Sequence, residues 1–221
     1  MKLAIKGLLK FLIGAILVGA MLFLPAGTLA YANAWLFLGL LFIPILIVGV
    51  VMFFKSPSLL EKRLNAKEKE KSQKGVLAAS ALLFICGFVV AGLDYRFGWS
   101  KMPLWVVIIG CVVLVVAYAL YAEVMRENAY LSRTIEVQEN QKVVDKGLYA
   151  IVRHPMYAVT VWLFLAIPIV LASWWAIICF APYIPVIIVR ILNEEKVLEE
   201  GLEGYADYKR KVKYRLIPFI W

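Results

Sequence analysis

The chain has 221 residues, of which 63% are hydrophobic and 18% are charged, and its formal net charge is +9. A soluble globular domain is about half apolar, so this composition excludes that class and indicates a membrane protein. The positive charge does not require a nucleic acid as partner, because membrane topology and contact with anionic lipid account for it.

Six apolar runs follow one another along the chain. A helix needs about 20 apolar residues to cross the hydrocarbon core, and a segment in lipid must bond its own backbone, which favours helices over strands. The runs are residues 8–24, 35–54, 76–93, 104–121, 156–171 and 174–189. The sequence therefore predicts an all-α integral membrane protein with about six transmembrane helices. The first run has features of a signal peptide, but we expect it to be retained as the first helix.

The basic residues predict the orientation of these helices. With both termini on the same side of the membrane, every lysine and arginine except Arg96 and Lys101 falls on that side. Cytoplasmic segments are enriched in lysine and arginine, so we expect a protein of the cytoplasmic membrane with cytoplasmic N- and C-termini. The segment 94–103 is then a short outer turn with interfacial aromatic residues, and we assign no chemistry to it.

Polar residues that suggest a functional site are concentrated after Tyr121. We therefore divide the chain into a lipid-facing N-terminal region with four transmembrane helices, residues 1–125, and a C-terminal region with two, residues 126–221. The three cysteines each lie in a separate apolar run. This spacing predicts packing residues and neither a disulfide nor a metal site.

Two polar clusters flank the last pair of apolar runs. Arg153 and His154 precede the fifth run, and Arg190, Glu194 and Glu195 follow the sixth. The two runs contain prolines and are joined by a short turn, so they should form a hairpin whose ends are neighbours. The proline after His154 suits the first turn of a helix, which places the first cluster at the positive end of that helix, where anions bind. The clusters therefore predict one site for a polar, zwitterionic or anionic small molecule.

The segment after the second cluster has helical periodicity. Leu198, Leu202, Tyr205 and Val212 recur at helical spacing, with acidic residues first and basic residues last. This pattern predicts an amphipathic helix on the cytoplasmic surface of the membrane. Arg190, at the end of an apolar run, either extends its charge to the membrane surface or belongs to a functional site.

The C-terminal region resembles a known family. The stretches "DKGLYAIVRHPMY" and "VRILNEEKVLEEGLEGYADYKRKVKYRLIP" are similar to the C-terminal half of isoprenylcysteine carboxyl methyltransferases and their prokaryotic relatives. Those are integral membrane enzymes that use S-adenosylmethionine. The resemblance covers residues 138–218 and rests on RHP-x-Tyr, a hydrophobic hairpin, Arg-x-x-x-Glu-Glu and a downstream Tyr-x-x-Tyr. Residues 1–120 carry no such resemblance.

The resemblance implies a site for S-adenosylmethionine and no metal. Its implied cofactor-binding residues are Gln141, Val143, Val144, Tyr149, Arg153, His154, Pro155, Met156, Tyr157 and Glu194. The carboxylate of the cofactor would lie at His154 or Arg153 and its ammonium at Glu194, with apolar residues of the 141–149 segment around the adenine. Arg190 and Glu195 would be the catalytic pair. Arg190 would hold an acceptor carboxylate, and Glu195 would position Arg190 or water.

Several functions are compatible with this sequence. The preferred hypothesis is a methyltransferase that acts on a lipophilic or lipidated acceptor, by carboxyl O-methylation of an isoprenylcysteine-like substrate. The alternatives are N-methylation of a phospholipid amine, reduction of a sterol or polyprenoid with NADPH, and a small transporter or scaffold. A reductase would need extra basic residues for the 2′-phosphate, whereas paired acids favour a cofactor that carries an ammonium. We expect membrane lipids as further partners and no nucleic acid.

Overall fold

The computed structural model describes residues 2–57, 60–61, 64, 71–128, 130–131 and 137–221. In these residues the regular secondary structure is helical, and no strand is present. The predicted all-α fold class is therefore confirmed. The residues between 57 and 71 that lie outside the description, 58–59, 62–63 and 65–70, belong to the basic segment between the second and third apolar runs.

The helices coincide with the predicted apolar runs. They are α1 (Lys2–Ala26), α2 (Ala32–Lys55), α3 (Lys71–Phe97), α4 (Leu104–Glu127), α5 (Pro155–Val170), α6 (Trp174–Phe180), α7 (Tyr183–Gly201) and α8 (Tyr205–Lys211), with a short 3-10 helix at Gly147–Ala150. Among the described residues, five segments are long and apolar enough to cross a membrane: α1, α2, most of α3, α4, and α6 together with α7. The shorter α5, with 16 residues, is also apolar. The protein is an all-α integral membrane protein.

The predicted hairpin joins α5 to α6 and α7. Its turn spans Leu171 to Ser173, and Ala172 has a φ of +57°. The side chain of Ser173 caps α6 by accepting a hydrogen bond from the backbone N–H of Ala176. Pro182 directly precedes α7 and divides the sixth apolar run into two helices, because proline lacks an N–H and clashes with the preceding turn. The hairpin brings the start of α5 beside the second half of α7.

Both halves of the chain contribute to one apolar core. Helix α4 packs against α5, and α3 packs against α1, α6 and α7. Gly110 allows the close contact of α4 with α5, because an added Cβ would lie 2.7 Å from Cγ2 of Ile169. Buried residues of this core come from α1 to α6, among them Leu22, Phe37, Phe88, Leu114, Val170 and Phe180. This packing of α3 and α4 against α5, α6 and α7 holds the hairpin in place.

The predicted amphipathic helix differs from the structure in two respects. It is interrupted after α7 by Leu202 and by Gly204, whose φ of +82° is readily adopted only by glycine. Its apolar residues also do not form a face for lipid. Leu202, Tyr205, Tyr208 and Val212 are buried in one cluster, with Leu198, Val137 and Val143 packed against it. The apolar residues are covered by the 137–143 segment of the same chain.

Candidate active site

The Arg-His-Pro segment is fixed by the chain on both sides. Before it, Gly147 adopts a φ of +58°, and the Glu127 carboxylate accepts a hydrogen bond of 2.9 Å from the backbone N–H of Leu148. After it, Pro155 occupies the first turn of α5, as predicted. The backbone N–H groups of Arg153 and His154 donate to carbonyls of the C-terminal segment at 2.8 and 3.0 Å. The C-terminal segment therefore positions both Arg153 and His154.

Glu195 is the centre of a buried ionic cluster. Its Oε1 accepts a hydrogen bond of 2.8 Å from Nε of Arg153 and lies 3.2 Å from Nε2 of His154. Its Oε2 accepts a hydrogen bond of 2.9 Å from Nε of Arg215. Glu195 is only 3% exposed, so its charge requires these partners. The sequence hypothesis paired Glu195 with Arg190 or water, whereas these contacts join it to the Arg-His-Pro and C-terminal segments.

Arg190 belongs to a separate series of contacts. Its Nε donates a hydrogen bond of 2.9 Å to the hydroxyl of Tyr157, and that hydroxyl donates to the carboxylate of Glu194. Arg190 is 8% exposed, so its charge is enclosed by the protein and does not extend to the membrane surface. Arg190 is thus linked to Glu194 through Tyr157.

An open cleft collects nearly all of the implied cofactor-binding residues. The lining contains Gln141, Val143, Val144, Tyr149, Arg153, His154, Met156, Tyr157 and Glu194. Pro155 is buried at the start of α5 and does not belong to the described lining. Arg190 and Glu195 are not in the lining either. Arg190 contacts Tyr157, and Glu195 contacts Arg153 and His154, which do line the cleft. Polar and apolar groups therefore share this one cleft.

Tyr149, Tyr205 and Tyr208 are neighbours among the residues that line the cleft. The hydroxyl of Tyr208 donates a hydrogen bond of 2.7 Å to the carbonyl of Tyr149, and Asn128 donates to the hydroxyl of Tyr149. The buried hydroxyl of Tyr205 has no hydrogen-bond partner among the described residues. Burial raises the pKa of Tyr149 to about 12 and raises that of Tyr205 and Tyr208 as well. All three hydroxyls therefore keep their proton at neutral pH.

The sequence hypothesis gave Tyr205 and Arg215 no role in the site. The Tyr-x-x-Tyr spacing of Tyr205 and Tyr208 was a signal for the first, since it places both rings on one face of a helix. Arg215 lies in an irregular segment after α8, where no periodic pattern points to a partner.

A second buried polar cluster lies at the opposite end of the helices. Asp94, only 1% exposed, accepts hydrogen bonds from the backbone N–H of Ser100 at 2.7 Å and from its hydroxyl at 2.6 Å. The hydroxyl of Ser173, in the hairpin turn, donates to the same carboxylate. No chemistry was predicted for this segment, and these contacts tie the α3–α4 turn to the α5–α6 turn.

Comparison with known families found a similarity that covers this site. Residues 105–203 match the model of the phospholipid methyltransferase family. The matched stretch begins in α4 and contains the Arg-His-Pro segment, the hairpin, Arg190, Glu194 and Glu195. A comparison with curated proteins gave no match. The chain is thus similar over this stretch to a family of membrane methyltransferases, and the match supports a membrane methyltransferase with an acceptor that it does not specify.

The residues of the cleft fit S-adenosylmethionine chemically. That cofactor carries an ammonium, a carboxylate, ribose hydroxyls and an aromatic base. Glu194 supplies an acidic group, Val143 and Val144 supply an apolar wall, and Tyr205 offers a buried hydroxyl for which the described protein provides no partner. A buried polar atom without a partner points to a bound group or water.

Proposed function

We propose that this protein is an S-adenosylmethionine-dependent methyltransferase that acts on a lipophilic acceptor at the membrane. The observation that carries the proposal is the cleft, which brings together nine of the residues implied for the cofactor. The match to phospholipid methyltransferases over residues 105–203 supports the same reaction class. The competing NADPH-dependent reductase gains no support from this match.

Residues of the cleft divide into an acidic and an apolar part. Glu194, held by Tyr157, is the group for the cofactor's ammonium, and Val143, Val144 and Tyr149 form the wall for its adenine. Arg153 and His154 are held by Glu195 and contribute positive and polar surface beside Glu194. When bound, the cofactor supplies a methyl group on a positively charged sulfur.

Arg190 is the proposed acceptor-holding residue. A carboxylate acceptor is already ionised and needs no general base, so its methylation depends on position. A guanidinium holds a carboxylate at two points, and the contact of Arg190 with Tyr157 couples its position to that of Glu194. Carboxyl O-methylation of an isoprenylcysteine-like substrate is therefore our preferred reaction. In this scheme Glu195 positions Arg153 and His154.

A phospholipid amine is the second candidate acceptor. The observation that favours it is the family match itself, whose description names phospholipid methylation. In either case we assign acceptor recognition to residues 1–125 and cofactor binding with catalysis to residues 126–221. We also propose that both termini are cytoplasmic, so that a reporter after Trp221 reads cytoplasmic and one near Ser100 reads external.

Cofactor binding by the purified protein tests the proposal. Calorimetry in detergent should detect binding of S-adenosylmethionine, and His154→Ala and Glu194→Ala should each weaken it about tenfold to a hundredfold, the range for a hydrogen bond to a charged group. Glu199→Ala is the matched control, because Glu199 is an exposed acid one turn further along α7 that pairs with Lys209. No binding by the parent protein, or unchanged affinity in both site variants, would refute the assignment. Tight NADPH binding would support the reductase.

A further inference from the structure

Tyr205 buries a hydroxyl that pairs with none of the described residues. The residue is 4% exposed, and its Oη has no hydrogen-bond partner among the described residues. A buried hydroxyl without a partner costs free energy, and native proteins contain few such groups. Tyr205 also lines the cleft, so a ligand bound in the cleft would lie beside this residue.

Tyr208 shows that α8 can satisfy a buried hydroxyl within the protein. It lies three residues after Tyr205, is 5% exposed, and packs in the same apolar cluster. Its hydroxyl donates a hydrogen bond of 2.7 Å to the carbonyl of Tyr149. The two tyrosines thus share the same helix, degree of burial and apolar cluster, and they differ in that only Tyr208 has a hydrogen-bond partner among the described residues.

The hydroxyl of Tyr205 lies at the charged end of the cleft. Glu194, Glu195 and Arg153 are the charged groups close enough to influence its ionisation. Burial raises its pKa, so at neutral pH it is a hydrogen-bond donor. Because Arg153 and Arg215 compensate Glu195, this end of the cleft can accept a further anionic group.

We infer that Tyr205 is a cofactor-binding residue whose hydroxyl donates a hydrogen bond to the carboxylate at the methionine end of S-adenosylmethionine. The inference rests on the proposed function. In the cofactor, the carboxylate and the ammonium are attached to the same carbon, so a donor for the first must lie beside the acid that holds the second. Tyr205 meets this condition, since Glu194 is the proposed ammonium site, both residues line the same cleft, and Glu194 is one of the charged groups near the Tyr205 hydroxyl.

The substitution Tyr205→Phe removes only this hydroxyl. Calorimetry with S-adenosylhomocysteine should show an affinity about tenfold or more below that of the parent. With the analogue that lacks only the carboxylate, parent and variant should bind alike. The melting temperature without ligand should be equal or higher, since the variant loses a buried hydroxyl that bonds to none of the described residues. Tyr208→Phe, which loses the bond to Tyr149, should instead melt at a lower temperature.

Tyr95→Phe is the affinity control. Its hydroxyl donates to the carbonyl of Ala30 at the opposite end of the helices, so cofactor affinity should not change. Equal affinity of Tyr205→Phe and parent for S-adenosylhomocysteine would overturn the inference, and so would an equal loss for both ligands. A lower melting temperature of Tyr205→Phe would also overturn it, by showing that the hydroxyl is used inside the protein. Absence of binding by the parent would instead refute the proposed function.

Discussion

The two ends of the helical bundle each bury a carboxylate, but they satisfy it differently. At the end opposite the cleft, Asp94 accepts hydrogen bonds from a backbone N–H and from serine hydroxyls of two turns. At the cleft end, Glu195 is held by two guanidinium groups and an imidazole. The first carboxylate relies on neutral donors, and the second has charged partners that belong to segments without regular structure.

This difference suggests two roles: the cluster around Asp94 stabilises the fold, and the cluster around Glu195 supports the candidate site. Around Asp94, the neighbouring polar groups also bond within the protein, since Tyr31 and Asn33 donate to the carbonyls of Leu171 and Val170. Around Glu195, the same kind of network borders an open cleft in which the hydroxyl of Tyr205 has no partner among the described residues. Fully satisfied buried networks make a structure rigid. The cleft end therefore combines a rigid back wall with polar capacity left for a ligand.

The largest expected effect comes from neutralising the carboxylate at the cleft end. Glu195→Gln leaves Arg153 buried without its counter-charge, and breaking a buried ion pair costs about 3–5 kcal/mol. Thermal unfolding in detergent should show a large fall in melting temperature, together with weaker cofactor binding because Arg153 and His154 lose their anchor. Glu199→Gln, in an exposed pair with Lys209, is the matched control and should match the parent. If the Glu195→Gln variant is stable and binds the cofactor normally, Glu195 does not need its charge, and the contrast drawn between Glu195 and Asp94 is wrong.

Substitution of Arg190 should give the next largest effect. It should lower turnover without changing cofactor affinity. Arg190→Ala should lower methyl transfer about tenfold to a hundredfold, as for a lost charge-assisted hydrogen bond, while cofactor affinity is kept because Tyr157 retains its bond to Glu194. That is the pattern of an interaction made in the transition state. The assay is transfer of a labelled methyl group to a prenylcysteine analogue and to a lipid extract.

Arg190→Lys identifies the acceptor chemistry. Lysine keeps the charge but loses the planar fork, so with a carboxylate acceptor this variant should be nearly as impaired as Arg190→Ala. With an amine acceptor the lysine should be tolerated. Near-normal transfer by Arg190→Ala on every acceptor would show that Arg190 has no catalytic role.

The sequence predicted which polar residues lie close together, but not how all of them pair. Apolar runs determine helices in lipid, and a short turn makes the ends of a hairpin neighbours, so Arg153, His154, Arg190, Glu194 and Glu195 could be brought to one end of the bundle. Which acid meets which base depends on side-chain direction, and neighbours on a helix point about 100° apart. The contribution of Arg215 depends on an irregular segment, whose path follows from tertiary contacts and not from periodicity.

A moderate effect on stability, without an effect on the site, is expected at the other end. Asp94→Asn keeps the shape of the side chain but replaces one acceptor oxygen with a donor group, which leaves a serine hydroxyl or the backbone N–H of Ser100 unpaired. The loss should be about 1–3 kcal/mol, seen as a lower melting temperature. Affinity for S-adenosylmethionine should stay at the parent value, because Asp94 contacts the two turns at the end away from the cleft. A loss of affinity comparable to that of Glu195→Gln would show that the two ends are coupled.

The smallest effect is expected for an ion pair at the cleft end that is not buried. Nε of Arg126 donates to the Glu123 carboxylate at 2.8 Å, the same distance as between Arg153 and Glu195, but the Arg126 side chain is 74% exposed. Solvent and salt screen such a pair, and its formation also costs side-chain entropy. Arg126→Ala should therefore leave the melting temperature, cofactor affinity and methyl transfer unchanged within error. A clear fall in any of the three would mean that closeness to the cleft, and not burial, determines how much an ion pair contributes at this end.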